Sequence, residues 1–329
     1  MTRSSGGASG ATARPTDEPL EGDRIGETEI GANPERRLVL NPTSGDGDHV
    51  ERVRRLAAEY GFPVVETERA GHATELAEAA AADGVDLLAA CGGDGTVNEV
   101  VRGLVAADAL EDVTLCVIPT GTANIYASGL GIDSVRDGFD AARRGDVRRL
   151  DLGTADGEPF VMSAIAGLPA AASVAASGGL KSRLGELAFA VEGIRTVREF
   201  DGLQASVAVR TDDGAYVWRG EALCLLIGNL RRFVGGNEPA NAEDGRLEVT
   251  IVDRVSPTDA IAGAIERLVR RESSRVATIE ATAVEVVALD DVPIEFSLDG
   301  EPQTHDAVEI GVRPGALRVC VGADYADRA

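Results

Sequence analysis

The chain is poor in lysine, aromatic residues, histidine and cysteine. Lysine occurs once in 329 residues, aromatic residues make up 4% of the chain, and there are three histidines and four cysteines. Cys91, Cys116, Cys224 and Cys320 stand far apart without a CxxC pair, and the histidines do not cluster. This pattern argues against a zinc site and against a disulfide framework. We expect four reduced, mostly buried thiols.

Long apolar runs are also absent. No run approaches the roughly 18–20 residues that a membrane-spanning helix requires, and the N-terminus lacks the compact apolar segment of a signal peptide. Hydrophobic residues still make up 44% of the chain, and its length suffices for two domains with separate cores. These features predict a cytoplasmic protein.

Negative charge is in large excess, with a net charge of −23. Many carboxylates, abundant alanine and glycine and a single lysine favour adaptation to high cytoplasmic salt, as in a halophilic archaeon, since salt screens the repulsion between surface charges. An acidic protein from a GC-rich genome is the alternative interpretation. Either origin makes nucleic acid a poor partner, because binding phosphates requires a basic face.

The composition changes twice along the chain. Residues 1–35 are rich in small, polar and acidic residues and are predicted to form a disordered acidic tail. Over residues 36–149, buried strands alternate with amphipathic helices. This alternation predicts an α/β domain whose parallel sheet is covered by helices on both faces.

Short strand-like runs dominate residues 150–314 and predict an all-β sandwich as a second domain. Helical stretches near residues 180–197 and 257–271 interrupt it. One predicted strand covers residues 160–165, and two others cover residues 215–218 and 222–227. A closing strand near residues 315–323 is expected to return to the first domain.

Three polar turns follow predicted strands of the first domain. They are Asn41-Pro42-Thr43-Ser44-Gly45, Gly92-Gly93-Asp94-Gly95-Thr96 and Pro119-Thr120-Gly121-Thr122-Ala123-Asn124. Ligands of parallel sheets bind at the carboxyl ends of the strands, so we expect the three turns to meet at one edge.

The residue types in these turns suit a bound anion. Glycine lets the backbone approach a bulky group, and the N–H groups at a helix start face an anion. Asp94 fits such a site if it holds Mg²⁺, orients the loop or binds a sugar hydroxyl. Each turn alone is equally compatible with an ordinary loop. The turns contain no lysine, so charge compensation would come from Mg²⁺, helix ends and arginine.

The three turns, extended by Asn98-Glu99-Val100 and followed later by Asp244-Gly245-x-Leu247 and Asp299-Gly300-Glu301, resemble the diacylglycerol kinase catalytic domain superfamily. The resemblance covers about residues 37–322. It implies an ATP-dependent lipid kinase of phospholipid metabolism that works at the membrane surface without spanning it. The acceptor would be a diacylglycerol-like, dialkylglycerol-like or sphingoid-like lipid.

The resemblance also implies the roles of individual residues. ATP would be bound by Asn41, Ser44, Gly92, Gly93, Asp94, Gly95, Thr96, Thr122 and Asn124. A structural Mg²⁺ would be held by the Asp244 side chain and by the backbone carbonyls of Asn241 and Arg246. Asp299 would be the general base, and Glu301 would assist it from the same strand face.

Some of these residues fit more than one interpretation. Asp299-Gly300 also fits an ordinary hairpin turn. Asn124-Ile125-Tyr126-Ala127-Ser128 departs from the Asn-Asp-Phe-Ala-Arg of many bacterial relatives. Lys181 could contact a phosphate or be a solvated helix charge. NAD kinase, which shares the GGDG turn, and a non-catalytic nucleotide or lipid sensor are the alternative functions, and a homodimer is compatible with the sequence.

Overall fold

The computed structural model covers two cores and most of the predicted strands. It describes residues 34–45, 47–144, 146–167, 202–230, 241–253 and 276–325. The helical stretches near 180–197 and 257–271, Lys181, and all but the last two residues of the predicted tail lie outside the described residues.

Helices and strands alternate in the N-terminal half of the chain, and strands alone are described in the C-terminal half. The N-terminal half comprises β1 Arg36–Leu40, α1 Val50–Tyr60, β2 Val64–Glu66, α2 His72–Ala82, β3 Leu87–Gly92, α3 Asp94–Ala106, β4 Thr114–Pro119, α4 Ile125–Gly129 and α5 Val135–Arg144. The C-terminal half comprises β5 Val147–Ala155, β6 Glu158–Phe160, β7 Ser163–Gly167, β8 Leu203–Thr211, β9 Gly214–Gly228, β10 Leu247–Asp253, β11 Val276–Ala281, β12 Ala283–Ala288, β13 Ile294–Leu298, β14 Glu301–His305 and β15 Ala307–Cys320. None of the helices in the described ranges has the length and apolar character needed to cross a bilayer.

The first core surrounds a parallel sheet with the strand order β4-β3-β1-β2. Every residue of β3 and β4 is buried, as expected of strands that helices cover on both faces. Helix α1 packs Val53, Leu56 and Tyr60 inward and ends at Gly61, which has a left-handed φ of 74°. That conformation favours glycine at a helix end. The predicted α/β architecture is confirmed.

The second core lies among antiparallel strands in the order β13-β7-β9-β8-β12, with β10 paired to β9. Its buried side chains include Phe160, Leu225, Val249, Phe296 and Ile310. The predicted β-sandwich is confirmed.

Two strand predictions in this second core are wrong in detail. Strand β9 is continuous where two strands were predicted, because β8 pairs with residues 214–222 and β7 pairs with residues 224–228. The strand predicted over residues 160–165 is split between β6 and β7. The backbone N–H groups of residues 161–163 turn towards a carboxylate there instead of joining a neighbouring strand.

Strand β15 belongs to both cores. Its first half pairs with β12, and near its end Val319 lies parallel to Leu115 of β4. Strand β5 runs antiparallel along both halves, with a shift in register between Arg313 and Leu317. Gly315, at φ 55°, lies within this bend. The two cores therefore share a pair of strands.

A buried carboxylate supports the bend in β15. Asp151 of β5 is 2% exposed. It accepts hydrogen bonds from the backbone N–H groups of Gly245, at 2.7 Å, and Gly315, at 2.8 Å. Burial raises the pKa of Asp151, and these two hydrogen bonds oppose that shift. One side chain thus joins β5, β15 and the turn that precedes β10.

We predict that Asp151→Asn lowers the free energy of unfolding by about 1–3 kcal/mol, because the amide offers one acceptor oxygen and sets its NH₂ group against a backbone N–H. Urea denaturation measures the change. Asp213→Asn, in the exposed turn between β8 and β9, is the matched control and should leave stability nearly unchanged. Equal stability of the two variants would contradict the role given to Asp151.

Candidate active site

The three polar turns meet at the carboxyl edge of the first sheet. Asn41 Nδ2 donates to Thr96 Oγ1 at 3.0 Å, which joins the first turn to the second. The Ser44 and Thr120 hydroxyls are 2.7 Å apart and join the first turn to the third. Thr120 N donates to the Gly92 carbonyl at 3.0 Å and joins the third turn to the second. Their predicted convergence is confirmed.

Glycines allow this close approach. A Cβ on Gly93 would lie 3.2 Å from Gly121 Cα, and one on Gly121 would overlap Gly93. Gly45, at φ 55°, lies against the Thr120 carbonyl, and a Cβ there would clash with its oxygen. The backbone of the three turns therefore packs closely around the N-terminus of α3, where the first N–H groups of a helix lack intrahelical partners. We call the space between the three turns and this N-terminus the recess.

Two polar side chains hold the third turn. Asp94 accepts hydrogen bonds from Ile125 N at 3.2 Å and Tyr126 N at 2.9 Å. Asn124, at φ 50°, exchanges two hydrogen bonds with the backbone of Gly121, at 2.9 and 2.8 Å. Of the three roles considered for Asp94, the structure shows the one that orients a loop. Gly95 and Thr122 are exposed at the rim.

The Asp299-Gly300 pair forms the two-residue turn between β13 and β14. Both residues have positive φ, 49° and 97°, as in the type I′ turns favoured by Asp-Gly. The interpretation of Asp299-Gly300 as a hairpin turn is therefore right. It is also compatible with a functional role of the Asp299 side chain. The turn directs the Asp299 carboxylate towards α3, where Asn98 Nδ2 lies 2.9 Å from Asp299 Oδ2.

Four donors surround the Asp299 carboxylate. Besides Asn98, they are the backbone N–H groups of Val161 at 2.6 Å, Met162 at 2.9 Å and Ser163 at 2.8 Å. Burial raises the pKa of Asp299, and these hydrogen bonds, which favour the ionised form, oppose that effect. The carboxylate is thus anchored to both domains.

Glu301, the first residue of β14, contacts α3 one helical turn beyond Asn98. Its Oε2 accepts from Arg102 Nη1 at 2.6 Å, and Glu158 Oε2 lies 4.0 Å from Arg102 Nε. Asn98 and Arg102 are four residues apart on α3 and so share one face. On this face, Asn98 contacts Asp299 and Arg102 contacts Glu301.

Asn98, Glu99 and Arg102 have functions in the structure that the sequence did not predict. Glu99 caps the start of α2 by accepting from Gly71 N at 3.0 Å and Ala73 N at 3.1 Å. Asn98 and Arg102 bind the candidate catalytic carboxylates. Their four-residue spacing was a visible signal, but no local pattern indicated which strand they would face.

The turn predicted to hold a metal lies beside Asp151. Asn241 is exposed, and Asp244 Oδ1 accepts from Arg246 N at 2.9 Å. The Arg246 side chain forms ion pairs with Asp212 at 2.6 Å and Glu280 at 3.2 Å. Among the residues that the structure describes, no three or more His, Cys, Asp or Glu side chains cluster as metal ligands. Backbone carbonyls would have to complete a site here.

Comparisons with known families match both domains. Residues 36–155 match the diacylglycerol kinase catalytic domain, and residues 162–321 match the YegS C-terminal NAD kinase β-sandwich-like domain. A YegS-like lipid kinase of Pseudomonas aeruginosa is 32% identical over 294 residues, covering 86% of this chain and 92% of that protein. The lipid kinase YegS of Escherichia coli K12 is 30% identical, covering 87% and 95%.

Other relatives agree with these matches. The diacylglycerol kinase of Bacillus subtilis is 30% identical over 276 residues, covering 80% of this chain and 89% of that protein. A crystal structure of a diacylglycerol kinase from Bacillus anthracis str. Sterne aligns with a TM-score of 0.66 over 90% of this chain and 100% of that one. At 21% identity, that likeness concerns the fold alone. These bacterial relatives do not support the expected halophilic archaeal source, which rests on composition.

We predict that Gly121→Ala weakens nucleotide binding about tenfold or more, because its Cβ would overlap Gly93 and push the second and third turns away from each other. Calorimetric titration with an ATP analogue measures the change. Gly311→Ala is the matched control, since the nearest atom to its Cβ would lie at 3.7 Å, in ordinary contact. Unchanged nucleotide affinity in Gly121→Ala would show that the contact between the turns does not shape the site.

Proposed function

The chain belongs to the lipid kinase family that joins a diacylglycerol kinase catalytic domain to a YegS C-terminal domain, and we propose that it transfers the γ-phosphoryl group of ATP to a hydroxyl of a glycerol-type or sphingoid-type lipid. Membership makes it a phosphotransferase with an alcohol acceptor. One observation carries the proposal: α3 begins at the recess between the three turns and, one turn later, binds Asp299 through Asn98.

The recess suits a triphosphate. Backbone N–H groups at the start of α3 and the Thr96 hydroxyl, which accepts from Asn41 and keeps its own proton, can donate to phosphate oxygens. The Ser44 hydroxyl would do so by giving up its hydrogen bond to the Asn41 carbonyl. Magnesium bound with ATP would supply the positive charge that the lysine-free turns lack, since metal ions neutralise the developing charge in phosphoryl transfer.

Asp299 is the proposed proton acceptor. The lipid oxygen attacks the γ-phosphorus in line as its proton passes to the carboxylate, and the bond to the bridging oxygen breaks to release ADP. Only the ionised carboxylate accepts a proton. Because the pKa of Asp299 is raised, turnover should rise with pH as this group ionises and fall as pH drops through its pKa.

The 241–246 turn fits a structural Mg²⁺ in its donor chemistry. A carboxylate and backbone carbonyls are the hard oxygen ligands that this ion takes. Desolvation raises the pKa of Asp244, and the nearby negative charge of Glu280 adds to the shift. A cation would offset that charge, and Asp244 with the carbonyls of Asn241 and Arg246 would hold it.

The lipid would be presented at the cytoplasmic face of a membrane, with the enzyme bound peripherally. At a net charge of −23, docking would rest on apolar contacts, since long-range attraction to anionic lipid is unfavourable. A labelled γ-phosphate screen over diradyl glycerols, sphingoid bases, phosphatidylglycerol analogues and NAD would identify the acceptor. Labelling of NAD alone would instead favour the NAD kinase alternative.

We predict that Asp299→Asn lowers kcat for lipid phosphorylation by about 100-fold or more, the scale of a lost general base. Nucleotide affinity should be retained, because the recess itself is unchanged. Asp306→Asn, at an exposed position after β14, is the control and should keep full turnover. Equal kcat in both variants would remove Asp299 from the mechanism, and no turnover in the wild type with any lipid would favour a sensor.

We predict that MgCl₂ without nucleotide raises the Tm of the wild type and has less effect on Asp244→Asn, because one anionic ligand is lost. Differential scanning calorimetry measures both shifts. Asp213→Asn serves as the control for the loss of one surface carboxylate. If all three proteins respond equally to Mg²⁺, the ion does not bind at this turn.

A further inference from the structure

Asn98 has a buried amide oxygen without a partner. The residue is 1% exposed and donates from Nδ2 to Asp299 Oδ2 at 2.9 Å. Its Oδ1 has no hydrogen-bond partner among the described residues. Leaving a buried acceptor unpaired is unfavourable, so such a group requires an explanation.

The hydrogen-bonding capacity of the Asp299 carboxylate is filled. Oδ1 accepts from Met162 and Ser163, and Oδ2 accepts from Val161 and Asn98. Since an ionised carboxylate offers about four lone-pair sites, no site remains for a proton. Asp299 can take up a proton only if one donor withdraws, and the new O–H then needs an acceptor.

Three of the four donors cannot withdraw easily. The backbone that carries them is held by Asn229, which donates from N to the Met162 carbonyl at 2.8 Å and from Nδ2 to the Val161 carbonyl at 3.0 Å. Asp299 N also donates to the Ser163 carbonyl at 3.0 Å. The Asn98 amide alone combines a donor and an acceptor on one rotatable group.

We propose that Asn98 is a positioning residue whose amide rotates by about 180° when Asp299 takes the proton of the lipid hydroxyl. Before transfer, Nδ2 donates to ionised Oδ2. After transfer, Oδ1 accepts from the Oδ2–H group. The count of unpaired amide groups is the same in both orientations, because Nδ2 then occupies the place that Oδ1 left. Rotation therefore exchanges one unpaired end of the amide for the other, and the ionisation of Asp299 decides which end faces Oδ2.

The proton balance follows from the proposed function, on which this inference rests. The lipid O–H bond breaks, its electron pair forms the bond to the γ-phosphorus, and the proton goes to Asp299 Oδ2. ADP leaves with the electrons of the broken bridging bond. When the proton departs to solvent, the amide turns back, so Asn98 exchanges no atom with the substrate.

Few charged groups surround this pair. Tyr126 of α4 is buried, and burial together with the Asp299 charge raises its pKa. On the other side lies the ion pair of Arg102 and Glu301, with Glu158 beside it. The four hydrogen bonds that the Asp299 carboxylate accepts from described residues come from none of these groups, which leaves Asn98 as its side-chain donor.

The test compares Asn98→Leu, which has no polar atom, with Asn98→Ser, whose hydroxyl can donate and accept. Asn98→Leu should lower kcat roughly 10- to 100-fold, the scale of one charge-assisted hydrogen bond, with the KM for ATP unchanged. The acidic limb of the pH–rate profile of Asn98→Leu should move to higher pH, since a hydrogen-bond donor to ionised Asp299 is lost. Asn98→Ser should recover some of the lost kcat. If Asn98→Leu fails to fold, Asn98→Ser still tests the proposal by comparison with the wild type.

A double-mutant cycle separates this inference from the proposed function. In the Asp299→Asn background, Asn98→Leu should cause no further loss of kcat, because the carboxylate to which Asn98 is hydrogen-bonded has already been removed. Additive losses, an unchanged kcat in Asn98→Leu, or a loss of ATP binding that accounts for its slower turnover would each overturn the switch. If Asp299→Asn retains turnover, the general base itself is wrong.

Discussion

The Asp299 carboxylate is the contact on which the geometry of the site depends. It receives one hydrogen bond from α3 of the first core and three from residues 161–163 of the second. Removing a charge from water is costly unless hydrogen bonds compensate it. Burial raises the pKa of this carboxylate. It therefore also requires both domains to supply hydrogen-bond donors, so the carboxylate is held in place only where the two domains meet.

The shared strands make that meeting point reproducible. Because β5 and β15 run through both cores, the recess at the start of α3 and the hairpin that carries Asp299 belong to one continuous sheet. Phosphoryl transfer depends on holding the attacking oxygen and the phosphate in line, so in the proposed mechanism a fixed separation between the recess and Asp299 would contribute directly to the rate. Asp151 serves this arrangement from a distance by holding the bend of β15 at Gly315.

The departure at Ile125-Tyr126 has a structural explanation. Asp94 accepts hydrogen bonds from the backbone N–H groups of these two residues, and Asn124 holds Gly121. The third turn is thus supported through main-chain groups and through the Asn124 side chain. The side chain at position 125 is free to differ without loss of the turn, since backbone donors are the same for every residue except proline.

The sequence by itself determined the features that depend on neighbours along the chain. Alternating strands and helices, three glycine-bearing strand ends and the Asp-Gly hairpin turn follow from local periodicity and from the φ values that glycine and aspartate accept. The tertiary structure alone decided which groups Asp299 would meet, because Asn98 lies 201 residues away from it in the chain and Val161 138. It likewise broke the predicted strand at residues 161 and 162 and paired Arg102 with Glu301. Such pairings arise from the packing of one domain on the other, and no local pattern encodes that packing.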